Sequence, residues 1–300
     1  MVEYFDMEIN DRLIQLAMFL PEQPKGIVQI IHGALEYKER YFPFAKFLEE
    51  NGYAVVLSDN RGHGGSINEN QPVGLMESYQ ELIADQLAVC HFAKEKVAEV
   101  PLYLFGHSFG SILARLFLQE HDDEIEKLIL TGTVNYIPVV AVGRKLSKMF
   151  LKIYGAQGHS ALLAKLTGDL EAKDNSWLSN NPENNLKAKT DEKMLKQYPV
   201  QTSLTIWESN YQLKQVQNFQ CKNPNLAILS IAGAEDKKIT GGTKGLNDTV
   251  ATLKKIGYQN VESIIMSGMK HEVLNEIDSK TVFDLILKFL QKAGTDGRVD

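Results

Sequence analysis

The residue best suited to chemistry is Ser108, the centre of a Gly-His-Ser-Phe-Gly pentapeptide at positions 106–110. The pentapeptide fits the pattern G-x-S-x-G and lies between a predicted buried strand, Leu102–Phe105, and a predicted helix, Ser111–Gln119. A sharp strand-to-helix turn lifts a serine hydroxyl clear of the backbone, and flanking glycines remove side chains that would collide. The context therefore predicts a nucleophile, whereas the alternative is a serine that only caps the start of a helix.

A serine hydroxyl is a weak nucleophile near neutral pH, so it needs a histidine base and an acid that orients the histidine. His271 follows the predicted strand Val261–Met266, in a loop beyond the carboxyl end of that strand. Asp236 follows the predicted strand Leu226–Ile231 and is the expected acid, with its neighbour Glu235 as the alternative. The resulting chain order of serine, acid and histidine is the order that accompanies this strand-to-helix turn.

Attack on a carbonyl carbon also requires N–H donors for the oxygen that becomes negatively charged. One donor is predicted to be the backbone N–H of Phe109, directly after the serine. The other is predicted at Ala34, in the loop that follows the apolar strand Gly26–Ile31 and begins with His32 and Gly33. We interpret His32 as a structural loop residue.

These residues need a scaffold that brings the ends of several strands together. Short apolar runs alternate with helical patterns along the chain, which implies crossover connections and a mostly parallel, doubly wound α/β sheet. The predicted strands are Gly26–Ile31, Tyr53–Leu57, Leu102–Phe105, Lys127–Leu130, Leu226–Ile231 and Val261–Met266. The predicted helices are Tyr41–Glu50, Glu77–Ala98, Ser111–Gln119, Asp248–Ile256 and Val282–Gln291.

The alternation is interrupted between residues 135 and 222, where mostly helical amphipathic stretches and an Asn-rich loop are predicted. We call residues 135–222 the cap, and residues 1–134 and 223–300 the core. Four apolar residues fall on one helical stripe of the cap: Leu146, Met149, Phe150 and Ile153. The stripe is interpreted as a lid helix packed on the core or, alternatively, as the lining of an acyl-chain tunnel or a contact with a lipid surface.

Composition and charge limit the classes of protein that fit. The chain has 300 residues, 44% of them hydrophobic, and a formal net charge of −6. Nucleic-acid binding is not expected, because it needs a clustered cationic surface. The cap alone carries 12 Lys and Arg against 7 Asp and Glu. A cationic cap on an acidic core would suit an anionic lipid surface or a phosphate head group.

The remaining sequence signals concern location. Cys90 and Cys221 lie far apart and are expected to be free thiols, which fits a reducing compartment. Residues 1–10 carry acids where a secretory signal needs bases, and no stretch reaches the ~18 apolar residues of a spanning helix. Residues 241–245 lack the spacing of a phosphate-binding loop and are predicted to form a solvated loop. We expect a soluble cytoplasmic protein with at most peripheral membrane contact, and the oligomeric state is left open.

Four motifs together resemble those of one known family. Residues 32–41 resemble H-G-x-x-E-x-x-x-R-Y, residues 59–66 resemble D-x-R-G-H-G-x-S, residues 106–110 match G-H-S-x-G, and residues 271–276 match H-E-x-x-N-E. They are similar to motifs of the monoacylglycerol lipase and lysophospholipase branch of the α/β-hydrolases, and they cover residues 26–290. Trp177-Leu178-Ser179, near Pro182, also resembles a segment of bacterial members.

The resemblance implies the α/β-hydrolase fold and a Ser-Asp-His enzyme without metal or cofactor. Its expected substrates are small lipid-like carboxylic esters, such as monoacylglycerol or lysophospholipid, which acylate Ser108. The preferred acyl chain and head group depend on the cap, where the resemblance is weakest.

Three other functions remain as alternatives. An aminopeptidase of the same fold would need acids near the mouth of the cap to hold a substrate amine, for which Glu171, Asp174 and Glu208 are candidates. A non-catalytic ligand receptor would lack a member of the Ser-Asp-His set. A dehalogenase is disfavoured, since it would carry an aspartate in place of Ser108.

Overall fold

The computed structural model describes residues 2–163 and 175–292, and within these ranges eight strands form one sheet. The strands are β1 (Val2–Ile9), β2 (Arg12–Phe19), β3 (Ile27–Ile31), β4 (Ala54–Ser58), β5 (Leu102–His107), β6 (Lys127–Thr131), β7 (Ala227–Gly233) and β8 (Val261–Met266). Their order is β1-β2-β4-β3-β5-β6-β7-β8. The β1–β2 and β2–β4 pairs are antiparallel, and all other neighbouring pairs are parallel. The mostly parallel α/β sheet predicted from the sequence is confirmed.

Helices cover both faces of this sheet. In the described part of the chain they are α1 (Phe42–Glu50), α2 (Tyr79–Lys96), α3 (Phe109–Phe117), α4 (Val140–Tyr154), α5 (Pro182–Thr190), α6 (Val200–Gln212), α7 (Lys237–Thr240), α8 (Gly242–Ile256) and α9 (Ser279–Gln291). Helices α4, α5 and α6 come from the cap and lie between β6 and β7 in the chain. None of the described helices is both long enough and apolar enough to cross a membrane.

The apolar core has two layers because the central strands are buried on both faces. All five residues of β3 and all five of β4 are buried, as expected for parallel strands that read as continuous apolar runs. One layer includes buried side chains of α2, α3 and α8, such as Leu82, Leu113 and Leu253. The other layer includes Phe44 of α1 and Ile286 of α9.

Strand register aligns the carboxyl ends of the central strands. Ile31 at the end of β3 pairs with Gly106 of β5, and His107 at the end of β5 pairs with Thr131 of β6. Gly233 at the end of β7 pairs with Met266 at the end of β8. The loops that follow β3, β5, β7 and β8 therefore leave the sheet at one edge.

The first two strands form a hairpin that was not predicted. Its turn is made by Asn10 and Asp11, which have φ values of 49° and 60°. These are the left-handed backbone angles that two-residue hairpin turns require and that Asn and Asp tolerate. The signal was present in β1, where apolar and charged residues alternate, and the apolar side chains of Phe5, Met7 and Ile9 pack against the core.

One local prediction was wrong. Residues 242–245 are the first turn of α8 and not a solvated loop. Gly241 takes a left-handed conformation, with φ of 70°, and directs the chain from α7 into α8. Gly245 is buried, and a Cβ there would lie 2.0 Å from the Thr240 carbonyl oxygen. The two glycines allow two helices to meet at a sharp corner, which explains their spacing.

Candidate active site

Ser108 lies in the turn between β5 and α3. Its backbone angles are φ 51° and ψ −119°, and its N–H donates to the Thr131 carbonyl oxygen of β6 at 3.0 Å. A Cβ at Gly106 would lie 2.4 Å from the Gly110 carbonyl oxygen, and a Cβ at Gly110 would lie 2.2 Å from the Ile31 carbonyl oxygen. Side chains at these two positions would therefore open the turn that holds the serine in its unusual conformation.

Ser108, His271 and Asp236 form a hydrogen-bonded chain. Ser108 Oγ lies 2.9 Å from His271 Nε2, and His271 Nδ1 lies 2.7 Å from Asp236 Oδ2. The carboxylate accepts the Nδ1 proton, so Nε2 keeps a lone pair that faces the serine hydroxyl. The alternative acid, Glu235, is exposed and lies 3.5 Å from Asn180 Nδ2. Such an arrangement can move a proton from the serine to the imidazole during nucleophilic attack.

The loop after β3 lies against Ser108. A Cβ at Gly33 would lie 3.0 Å from Ser108 Cβ, so only glycine fits this approach without displacement. The Gly33 N–H donates to Glu36 Oε1 at 2.6 Å, and the Leu35 N–H donates to the Tyr198 hydroxyl oxygen at 2.6 Å.

The two predicted N–H donors for a substrate oxygen are Ala34, in this loop, and Phe109, directly after the serine. Unlike the N–H groups of Gly33 and Leu35, theirs are unpaired in the part of the chain that the structure describes. Within the described residues, the N–H groups of Ala34 and Phe109 donate to no protein acceptor. An unpaired backbone N–H beside a nucleophile can bind an oxygen that becomes negatively charged. Because they have no described protein acceptor, these two amides are available for a ligand.

Three further buried histidines lie at the carboxyl end of β5 or in the loops after β3 and β4: His107, His32 and His63. Burial lowers the pKa of His32 to about 4 and the pKa of His63 to about 3. Burial and the nearby His271 lower the pKa of His107 well below its ordinary value. His32 Nε2 accepts the Asn60 N–H at 2.9 Å, so this residue connects the loops after β3 and β4. All three histidines are therefore neutral near pH 7 and act through fixed hydrogen bonds.

A buried ionic cluster connects the loop after β3 with the loop that carries His271. Arg40 Nη2 lies 2.6 Å from Glu272 Oε2, and Arg40 Nη1 lies 3.5 Å from Glu36 Oε2. Asn184 of the cap donates to Glu272 Oε2 at 2.7 Å, and the Tyr41 hydroxyl donates to Glu36 Oε1 at 2.6 Å. Burial raises the pKa of Glu36, whereas Arg40 and Asn184 outweigh burial at Glu272 and lower its pKa. The cluster fixes two site loops and the cap relative to one another.

A cavity of about 310 Å³ opens over Ser108 and His271. Its apolar lining residues are Ala34, Leu35, Trp177, Leu178, Ala188, Met194 and Leu195, and the other lining residues include Arg40, Lys189, Lys196 and Glu272. The Trp177 ring lies 5.1 Å from the His271 ring at an interplanar angle of 31°. Its Nε1 is buried and has no hydrogen-bond partner among the described residues. The cavity is thus mainly apolar, with cationic side chains at its border.

The apolar stripe predicted in the cap lies elsewhere. Leu146, Met149, Phe150 and Ile153 belong to α4 and are not among the described residues that line the cavity. Met149 is 48% exposed and Ile153 is 62% exposed. The assignment of the stripe to substrate binding stays a prediction, without support from the geometry of this cavity.

Of the three acids considered for an aminopeptidase, only Glu208 lies in the described part of the chain, and it does not line the cavity. Glu208 lies 2.8 Å from Arg144 Nη2 and 3.1 Å from Lys148 Nζ. Glu171 and Asp174 lie outside the described residues. Within residues 2–163 and 175–292, no cluster of histidine, cysteine and acidic residues could hold a metal ion.

Sequence reasoning missed the roles of Arg40, Trp177 and Tyr198. Arg40 and Trp177 were present in motifs, but a motif does not show which side chain lines a cavity. Tyr198 gave no signal, because it contacts Leu35 across 163 positions of the chain.

Comparison with known proteins identifies the family. The family model described as serine aminopeptidase S33 (Hydrolase_4) matches residues 22–278. The chain belongs to this family. The match includes all three residues of the hydrogen-bonded chain and the whole of the cap.

Two similar proteins carry lipid-related names. The chain is 32% identical to "Phospholipase YtpA" of Bacillus subtilis strain 168 over 112 residues, which are 37% of this chain and 41% of the relative. It is 28% identical to "Monoglyceride lipase" of Rattus norvegicus over 158 residues, or 53% of this chain and 48% of the relative. The chain thus spans less than half the length of each. These names confirm the resemblance inferred from the motifs.

A solved structure gives the fold. A thermostable carboxyl esterase from Bacillus coagulans, in complex with glycerol, superimposes with a TM-score of 0.86 at 21% identity. The superposition covers 96% of this chain and 97% of that chain. The S33 family member described here therefore has the α/β-hydrolase fold.

Proposed function

We propose that this protein is a serine hydrolase that cleaves carboxylic esters of lipid-like substrates, such as monoacylglycerols or lysophospholipids, through an acyl-enzyme on Ser108. One observation carries the proposal. The Ser108–His271–Asp236 chain, with distances of 2.9 Å and 2.7 Å, faces a mainly apolar cavity, and the backbone N–H groups of Ala34 and of Phe109, the residue after the serine, have no acceptor among the described residues.

The geometry supports a two-step reaction. Ser108 Oγ attacks the ester carbonyl carbon while His271 Nε2 takes the hydroxyl proton, and the carbonyl oxygen becomes negatively charged between the Ala34 and Phe109 N–H groups. The tetrahedral adduct collapses when His271 gives its proton to the alcohol that leaves. A water molecule then attacks the acyl-serine by the same route, which releases the acid and restores the serine.

The charges at the cavity favour esters over peptides with a free amine. Among the described lining residues the carboxylates are Glu36 and Glu272, and both are paired with Arg40. Lys189 and Lys196 also line the cavity. A substrate ammonium group would therefore meet like charges and no unpaired described acid, which is unfavourable. Neutral or anionic head groups are compatible with these cations.

The apolar wall of the cavity supports a lipid-like substrate. Six aliphatic or thioether side chains contribute to it: Ala34, Leu35, Leu178, Ala188, Met194 and Leu195. Burial of an acyl chain against such a wall yields about 0.8 kcal/mol per CH₂ group. The names of the relatives, a phospholipase and a monoglyceride lipase, point in the same direction.

The test combines a mechanism-based label with a substrate series. We expect a fluorophosphonate to label Ser108 and the protein to hydrolyse p-nitrophenyl esters, with Ser108→Ala at least about a thousandfold slower. Ser111→Ala is the matched control, since Ser111 lies three positions further along the chain and its hydroxyl accepts the Val134 N–H at 3.1 Å. Residual activity of Ser108→Ala within tenfold of the parent would refute the nucleophile. Faster turnover of aminoacyl p-nitroanilides than of esters would transfer the function to an aminopeptidase.

A further inference from the structure

The cap holds the loop after β3 through both polar groups of one residue. The Leu35 N–H donates to the Tyr198 hydroxyl at 2.6 Å, and the Leu35 carbonyl oxygen accepts the Leu195 N–H at 2.9 Å. Tyr198 and Leu195 belong to the segment of the cap between α5 and α6. A single core residue is therefore held from two sides by the cap.

Leu35 needs such support because of its backbone conformation. Its φ is 63°, in the left-handed region that leucine rarely adopts. An isolated residue of this kind is strained and persists only when the surrounding structure holds it. The residue before it is Ala34, whose N–H is one of the two available donors. A change at Leu35 would therefore move a donor of the proposed oxyanion site.

The direction of the hydrogen bonds at Tyr198 is determined by His63. His63 Nδ1 lies 2.8 Å from the Arg61 carbonyl oxygen, so Nδ1 must carry the proton. Its Nε2, 2.8 Å from the Tyr198 hydroxyl oxygen, is then an acceptor, and the hydroxyl donates to it. The hydroxyl oxygen is left with lone pairs for the Leu35 N–H. His63 is 1% exposed and Tyr198 is 7% exposed, so water has little access to these bonds.

We propose that Tyr198 is a positioning residue that, held by His63, keeps Leu35 in its left-handed conformation and the Ala34 N–H available to the substrate oxygen. This inference rests on the proposed function. It assigns the cap a second task besides covering the substrate, because the oxyanion site is complete only when the segment around Tyr198 is docked on the core.

The variant Tyr198→Phe removes the hydroxyl and keeps the ring. With a p-nitrophenyl ester as substrate, we expect kcat to fall ~10- to 100-fold while KM changes less than about threefold, because the lost interaction acts on the transition state. Affinity for an alkyl trifluoromethyl ketone, whose serine adduct carries an oxyanion, should fall by a similar factor. In hydrogen-exchange mass spectrometry, a peptide containing residues 33–36 should exchange faster than in the parent.

Tyr258→Phe is the matched control. The Tyr258 hydroxyl is also buried and lies 3.0 Å from Asp122 Oδ2, but it does not line the cavity. This variant should lose comparable stability and keep kcat within about twofold. Rates are expressed per serine labelled by fluorophosphonate, so that misfolded protein does not count.

The outcomes separate the two proposals. If the parent hydrolyses esters and Tyr198→Phe retains kcat and affinity for the ketone, the positioning role is refuted and the proposed function stands. If exchange of residues 33–36 accelerates without a loss of kcat, the role is likewise refuted. A parent that neither hydrolyses esters nor reacts with fluorophosphonate refutes the proposed function itself.

Discussion

At the scale of single residues, the site depends on glycines, which allow close backbone approaches, as much as on the side chains proposed to react. Gly33, Gly106 and Gly110 permit approaches of 2.2–3.0 Å between a hypothetical Cβ and neighbouring atoms. The reacting groups themselves are ordinary: one hydroxyl, one imidazole and one carboxylate. Their proposed reactivity comes from the fixed direction of two hydrogen bonds, and so from which nitrogen of His271 carries the proton.

Asp236→Asn tests that direction. An amide in place of the carboxylate can present its NH₂ group to Nδ1 and favour the wrong tautomer, so we expect kcat for p-nitrophenyl butyrate to fall on the order of 10³- to 10⁴-fold. Glu235→Gln is the matched control and should stay within about twofold of the parent, because Glu235 is exposed. Loss of activity in Glu235→Gln with near-normal turnover in Asp236→Asn would assign the acid to Glu235.

At the scale of elements, the cap divides into parts with different surroundings. The segment from Trp177 to Tyr198 contributes most cap residues of the cavity and hydrogen-bonds to the core at Glu272 and Leu35. Helix α4 packs on α6 through Gly143, where a Cβ would lie 2.4 Å from the Trp207 ring. Its outer face exposes Val142, Met149 and Ile153. The amphipathic stripe recognised in the sequence is thus not part of the described wall of this cavity.

A comparison of two cap variants tests this division. The double variant Met149→Ser, Ile153→Ser changes exposed residues of α4 and should leave the chain-length profile for p-nitrophenyl esters within about twofold of the parent. Met194→Ala removes a side chain from the cavity wall and should lower kcat/KM for long acyl chains about tenfold, equivalent to ~1–2 kcal/mol of lost contact. A profile that shifts in the α4 variant and not in Met194→Ala would restore the stripe as the acyl-chain wall.

At the scale of the whole molecule, stability depends on histidines that are buried in the neutral form. Burial lowers the folded-state pKa of His32, His63 and His107, while the unfolded chain keeps ordinary values near 6.5. The unfolded state therefore binds more protons below about pH 6.5, and stability present above that pH is lost as the pH falls. The raised pKa values of the Glu36, Asp85 and Glu276 carboxyls, each caused mainly by burial, act in the opposite sense and offset part of this loss.

We therefore expect His32 and His63 each to lower the free energy of unfolding by roughly 2 kcal/mol between pH 7 and pH 5, and His107 to act in the same direction. Urea unfolding at several pH values measures the slope. His91→Gln is the control, because the His91 side chain is 57% exposed. A flat stability profile from pH 7 to pH 5 would show that the three histidines are not held neutral by the fold.

The sequence by itself determined the sheet, the serine turn and the candidate acid and base. Each of these rests on local information: apolar runs of strand length, glycines at fixed offsets from Ser108, and polar residues directly after strands. Parallel strands end at a common edge, so local order along the chain was enough to predict that Ser108, Asp236 and His271 would meet. The hairpin β1–β2 was missed, although its alternation and its Asn-Asp turn were local signals too.

Only the tertiary structure decided which side chains surround those residues. Arg40 meets Glu272 across 232 positions, and Leu35 meets Tyr198 across 163 positions. The first contact joins two loops of the core, and the second depends on how the cap packs on the core. Packing is specified by the complementary shapes of many side chains and not by any one residue. The same reason explains why the stripe of α4 was recognised in the sequence but its orientation was not: periodicity shows that a helix has an apolar face, and only its neighbours show what that face meets.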